Sequence, residues 1–109
     1  MYCKIYIHSE SKERVLSCLE DEFGVYIQSL NDYYFEQFEI HLYKNKEENI
    51  NRIHLYPDGF LYYELIADVE IRERHIEITN QILRCLWKNN LPSVAACDYE
   101  KELMEYGMK

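Results

Sequence analysis

Apolar and polar positions alternate with a period of two in three short runs of this chain. In Tyr2–His8, Cys3, Ile5 and Ile7 alternate with Tyr2, Lys4, Tyr6 and His8. In Gln37–Tyr43, Phe38, Ile40 and Leu42 alternate with Gln37, Glu39, His41 and Tyr43. In Ile53–Tyr56, Ile53 and Leu55 alternate with His54 and Tyr56. Successive strand side chains point to opposite faces, so these runs predict a sheet with one apolar face and one face of tyrosine, histidine and charge.

Elsewhere the period lengthens to that of a helix. Ser9 and Ser11 are N-cap candidates, and Val15, Leu16, Leu19 and Phe23 recur on one helical face after them. Glu10 and Arg14 form an i,i+4 pair with the acid first. Gly24 sits where a left-handed C-terminal cap belongs. A longer helix is predicted over Glu73–Asn89, its stripe made by Ile76, Thr79, Ile82, Leu83, Leu86 and Trp87. Asn89-Asn90 and Pro92 end it.

The remaining strands follow from shorter signals. Val25–Leu30 reads as a strand with Val25 and Ile27 inward and Tyr26 outward, closed by an Asn31-Asp32 turn. Phe35–Tyr43 reads as one continuous strand. Lys44–Asn51 then serves as a hairpin loop, Ile53–Tyr56 pairs back, and Pro57-Asp58-Gly59 turns the chain. Phe60–Val69 places Tyr62 and Glu64 on the polar face, with Leu61, Tyr63 and Leu65 inward. Phe60 and Ile66 share the parity of Tyr62, which predicts burial on both faces or a bulge. Val94–Cys97 is a last short strand, after which Asp98 caps a helical turn over Tyr99–Tyr106 with Leu103 packing back. The predicted order is β-α-β-β-β-β-α-β. It describes one α+β domain over residues 1–109, a ferredoxin-like two-layer sandwich with two helices on one face of an antiparallel sheet.

Composition narrows the functions. With 48% hydrophobic and 29% charged residues the chain is globular. Twenty acids against 12 bases give a net charge of −8, which repels phosphate backbones and anionic membrane surfaces and attracts a basic protein partner. The same charge also serves plain solubility. Cys3, Cys18, Cys85 and Cys97 have no C-x-x-C spacing and lie among apolar residues, where cysteine acts as a small hydrophobe. The N-terminus lacks a signal-peptide pattern, and no run approaches the roughly 20 apolar residues of a membrane span. A cytoplasmic setting with reduced thiols is the expectation.

The polar sheet face is the candidate site. Tyr2, Tyr6, Tyr26, Tyr43, Tyr56 and Tyr62 project there by parity, with His8, His41, His54, Glu39 and Glu64. Tyrosine combines large contact area with a polar tip and few rotamers to freeze, which suits an interface, although its strand propensity alone explains some of the pattern. A homodimer through this face satisfies it equally. A second reading is a small-ligand or metal-binding, enzyme-like domain that uses His8, His41 and His54, and a metal site there requires their strands to be in the right register. There is no G-x-S-x-G elbow, phosphate loop or paired acid/base motif, so no catalytic residue is assigned, and neither a cofactor nor a resident metal belongs to the leading reading. Acidic clusters stand at Glu20-Asp21-Glu22, at Glu47-Glu48 and at Asp98, Glu100, Glu102 and Glu105.

The stretch Leu83–Leu103, with its L-x-x-L-W helix and Ala-Cys-Asp-Tyr-Glu strand end, resembles a family of small acidic bacterial proteins. Asp58-Gly59-Phe60-Leu61-Tyr62-Tyr63 resembles the same family's central strand. That family looks similar to immunity-type proteins found beside bacterial toxins, and the resemblance covers the second half of the chain. It implies an immunity-type role; together with the net charge of −8 and the tyrosine face, the leading reading is a non-catalytic cytosolic binding module, an immunity-type inhibitor of a basic toxin such as a nuclease. The partner-binding candidates are Tyr6, Glu39, Tyr43 and Tyr56 with Asp98, Glu100, Glu102 and Glu105.

Overall fold

A computed structural model describes residues 1–108. The chain forms β1 (Tyr2–Ile7), α1 (Lys12–Phe23), β2 (Ile27–Ser29), β3 (Asp32–Tyr34), β4 (Phe38–Lys44), β5 (Leu65–Ile71), α2 (His75–Lys88) and β6 (Ser93–Ala96). The strands make one six-stranded sheet in the order β2-β3-β4-β5-β1-β6, and every pairing is antiparallel. Among the described residues no helix is long and apolar enough to cross a membrane.

The helices obey their local signals. The Ser11 hydroxyl accepts the Arg14 backbone N–H at 3.1 Å, which satisfies one orphan donor of the first turn. Gly24, at φ 94°, donates its N–H to the Glu20 carbonyl at 2.8 Å, a backbone that a Cβ would strain. The second helix starts two residues later than expected, after Arg74 at φ 56°, and its buried face is Ile78, Thr79, Ile82, Leu83, Cys85 and Leu86. These side chains share one core with Val15, Leu19 and Phe23 of α1 and with Ile5, Phe38, Ile40, Leu42, Val69 and Ile71 of the sheet.

The strand count matches the expectation, but the membership does not: β3 forms at Asp32–Tyr34, where a turn was expected, and the expected strand at Ile53–Tyr56 does not form. Phe35–Tyr43 is not continuous, because Phe35 and Phe38 are both buried and stack at 4.8 Å. A spacing of three cannot place two side chains on one face of a flat strand, so the chain turns between β3 and β4, with the Phe35 N–H donating to the Phe38 carbonyl at 2.9 Å. Val25 and Ile27 do not face inward: Ile27 is 73% exposed and pairs with Tyr34, while the Tyr26 ring packs on Tyr33 and Phe35. Packing of the Tyr26 ring set the parity there, and all three residues of β2 stay exposed.

Ile53–Tyr56 is not a strand. It lies within a long connection between β4 and β5 that is closed by turns and a 3₁₀ turn over Gly59–Tyr62. Four alternating residues are too few to separate a strand from successive turns. The backbone bonds are local, Arg52 N–H to the Asn49 carbonyl at 2.9 Å and Gly59 N–H to the Leu55 carbonyl at 2.6 Å. A Cβ on Gly59 would collide with the Ile53 carbonyl oxygen, so the turn closes only around glycine. Buried Asn45 pins the far side: its amide donates to the Leu61 carbonyl at 2.9 Å and the Tyr63 carbonyl at 2.7 Å, and its side-chain oxygen accepts the Glu47 N–H at 3.0 Å. Tyr62 therefore leaves the sheet, and Tyr63 leaves the core to stack on His8 at 5.1 Å.

The C-terminal helical turn expected over Tyr99–Tyr106 is replaced by two 3₁₀ turns, Glu100–Glu102 and Met104–Gly107, and Asp98 caps neither. Leu103 is buried as expected. Tyr99 is buried too, its hydroxyl 3.0 Å from the Thr79 hydroxyl, and that anchor shortens the turn.

Replacing Asn45 with Ala strips partners from two carbonyls and one N–H at once. Chemical denaturation is expected to show a loss of about 2 kcal/mol with an unchanged denaturant slope.

Candidate protein-binding face

The pairing registers convert sequence parity into a grid. On the face opposite the Ile5, Ile40 and Val69 core, one row reads Ile27, Tyr34, Glu39, Glu70, Tyr2 across five strands. The next reads Ser29, Asp32, His41, Asp68, Lys4, Ala96. The third reads Tyr43, Ile66, Tyr6, Val94.

The third row is roofed. Phe60 sets its ring edge-on to Tyr6 at 5.3 Å, and Ile66 and Val94 are buried although they point away from the helix-bearing core. Burial on both sides of β5 at Ile66 is the first of the two outcomes its parity predicted. Met108 bridges to Val94 at the neighbouring sheet edge.

The first two rows remain open. Tyr2, Asp32, Tyr34, Glu39, His41, Asp68 and Glu70 line a shallow concavity of about 360 Å³. Tyr2 is 52% and Tyr34 40% exposed, so both rings are available for contact. The Tyr2 hydroxyl donates to Asp68 Oδ1 at 2.6 Å, and His41 Nδ1 lies 2.7 Å from Asp32 Oδ1. Burial, aided by the Asp68 carboxylate, raises the Tyr2 phenol well above its ordinary range. Burial, and then Asp68, pushes the Tyr43 phenol up to about 12.

The electrostatics of the first row are unbalanced. Glu39 and Glu70 are direct cross-strand partners, and like charges in that position destabilise a sheet. The terminal ammonium reaches Glu70 at 3.3 Å, but that pair is half exposed and screened. Glu39 has no ion pair among the described residues. Two adjacent carboxylates flanked by Tyr34 and Tyr2 are an arrangement that a planar cation completes, since a guanidinium both bridges carboxylates and lies against aromatic rings.

The residues expected to form the site are divided by the fold. Tyr6, Glu39 and Tyr43 do lie on this face, with Tyr6 under Phe60 and only Glu39 lining the open half. Tyr56 is not on the sheet: it is 95% exposed in the β4–β5 connection, because the strand that would have carried it does not form. Asp98, Glu102 and Glu105 are exposed on the C-terminal turns, and Glu100 Oε1 accepts the Cys97 N–H at 3.3 Å, so none of these acids belongs to the grid. Tyr26 and Tyr62 are likewise absent from it.

The three histidines sit apart. His8 lies 2.9 Å from Glu64 Oε1, His41 beside Asp32, and His54 in the long connection. Among the described residues no group of three or more His, Cys, Asp or Glu side chains is placed to hold a metal ion.

Sequence reasoning missed Asp32, Tyr34, Asp68 and Glu70. The last two had a signal, since Asp68 and Glu70 alternate with Ala67, Val69 and Ile71. The aromatic and apolar residues Phe60–Tyr63 that precede it mask the alternation.

A raised phenol pKa means the folded state holds its proton more tightly. Tyr43 therefore contributes stability that is intact below pH 10 and is lost as pH rises from 10 through about 12. Urea melts of Tyr43→Phe across that window are expected to show a shallower alkaline loss than the wild-type chain.

The chain matches no protein-family model, no curated protein and no solved structure.

Proposed function

We propose that this chain is a non-catalytic binding module whose open half-sheet receives a basic segment of a protein partner. The observation that carries the reading is the Tyr34–Glu39–Glu70–Tyr2 row. It keeps two carboxylates side by side at a cost to the sheet, beside exposed aromatic rings and in a chain of net charge −8. An arginine or lysine entering the concavity relieves that repulsion and buries the tyrosine rings, so both main sources of interface energy act at one place.

The partner class that fits is a basic toxin such as a nuclease, with this chain as its immunity-type inhibitor in the cytoplasm. A cationic groove that binds nucleic acid would be occupied by Glu39, Glu70 and Asp68 in place of phosphate. The fold supports that role as a rigid platform. Strands β4, β5, β1 and β6 follow one another as in a ferredoxin-like sheet, the helices pack together over its core face, and the β2–β3 hairpin extends the docking surface. The acids from Asp98 to Glu105 serve as outlying electrostatic attraction.

An arginine-rich peptide titrated into isotope-labelled protein is expected to shift the amides of Tyr2, Tyr34, Glu39 and Glu70, and to lose affinity steeply with salt. Shifts confined to Asp98–Glu105 would move the docking surface to the C-terminal turns and refute the reading.

Glu39→Gln separates function from folding. It is expected to raise unfolding stability by about 0.5 kcal/mol, by removing a like-charge pair. It is also expected to weaken binding of the basic partner by roughly tenfold or more, in titration calorimetry.

A further inference from the structure

Cys18 and Cys85 belong to different helices and are separated by 67 positions, yet their sulfur atoms lie 2.7 Å apart in the buried contact between α1 and α2. The sulfurs also lie near each other's backbone, Cys18 Sγ 3.3 Å from the Cys85 carbonyl and Cys85 Sγ 3.2 Å from the Cys18 carbonyl, so each single S–H has either that carbonyl or the other sulfur as its acceptor. Asn89 closes the site from the end of α2, its amide donating to Cys18 Sγ at 3.2 Å and to the Cys85 carbonyl at 2.7 Å. Two cysteines buried merely as small hydrophobes would need neither the mutual approach nor an amide directed at one sulfur.

We propose that Cys18 and Cys85 are a thiol-oxidation site: a peroxide converts them to an intramolecular disulfide that fastens α1 to α2. Both are free thiols in the structure. The Cys18 sulfur is the attacking atom. It keeps 6% exposure against 1% for Cys85, and the hydrogen bond from the Cys85 thiol holds Cys18 below the ordinary thiol range while raising Cys85. The Cys18 thiolate attacks one peroxide oxygen, the O–O bond breaks, and hydroxide leaves and is protonated to water, giving a sulfenic acid at Cys18. The Cys85 sulfur then attacks the Cys18 sulfur. The S–O bond breaks, the S–S bond forms, and the Cys85 proton leaves with the departing hydroxide as a second water. The two sulfurs together give two electrons to the peroxide, which is reduced to two molecules of water.

The test uses the full chain, reduced, freed of reductant and treated with hydrogen peroxide while folded. Thiol titration after denaturation is expected to fall from four thiols to two, with non-reducing peptide mapping recovering the Cys18–Cys85 link. The thermal midpoint is expected to rise by roughly 10 °C, because the cross-link closes a long loop in the unfolded chain, and dithiothreitol is expected to reverse both changes. Four thiols surviving a dose that oxidises the urea-unfolded chain would overturn the proposal. So would recovery of a Cys3–Cys97 link in place of Cys18–Cys85, or of disulfides between chains. Cys97→Ser, at a half-buried position outside the helix contact, is expected to lose two thiols on treatment just as the wild-type chain does, and retention of all its thiols would count against the proposal.

Discussion

The register of β5 between β1 and β4 is the constraint on which the rest depends. Val69 stands opposite both Cys3 and Ile40, so Ala67, Val69 and Ile71 all enter the core. The same alignment places Asp68 between Lys4 and His41, and Glu70 between Tyr2 and Glu39. A slip of one residue would bury Asp68 and Glu70 and expose Val69 and Ile71. Each unpaired carboxylate so buried would cost several kcal/mol, and the aliphatic side chains would lose their burial as well. Burial of the aliphatic set thus determines where the acids stand.

The long connection between β4 and β5 then divides that face. Asn45 and Gly59 hold it in a compact set of turns, and Phe60 comes to rest on Tyr6. Tyrosines that share a parity acquire different environments. Tyr6 becomes part of a packed aromatic contact, while Tyr2 and Tyr34 stay accessible beside Glu39 and Glu70. A connection that formed another strand would have lengthened the sheet and left no roof over Ile66 and Val94.

The helix pair carries a separate chemistry. The contact between α1 and α2 brings Cys18 to Cys85 in the core beneath β1, β4 and β5, while the acidic row lies on the other side of those strands. Residues close in sequence to the cysteines, Glu22 and Lys88, add a cross-helix ion pair at 3.4 Å on the exposed rim of the same contact. The fold therefore keeps the acidic row and the cysteine pair in different layers.

Local forces made much of this legible in the residues themselves. The Ser11 cap, the Gly24 turn, the two amphipathic helices, and the parities of β1 and of β4 follow from hydrogen-bonding groups and side-chain periods within a few positions. The α+β class and the antiparallel sheet followed from them, as did the placement of Tyr6, Glu39 and Tyr43 on the face away from the core. What depended on distant partners was not legible. The meeting of Cys18 with Cys85 was decided by helix packing across 67 positions, while the turn between Phe35 and Phe38, the reversal at Tyr26 and Ile27 and the turns that replace a strand at Ile53–Tyr56 were decided by ring packing and turn hydrogen bonds that side-chain alternation does not encode. Tertiary structure also decided which tyrosines and carboxylates share the open rows, because cross-strand register is set by total core burial, and no local run of sequence contains that sum.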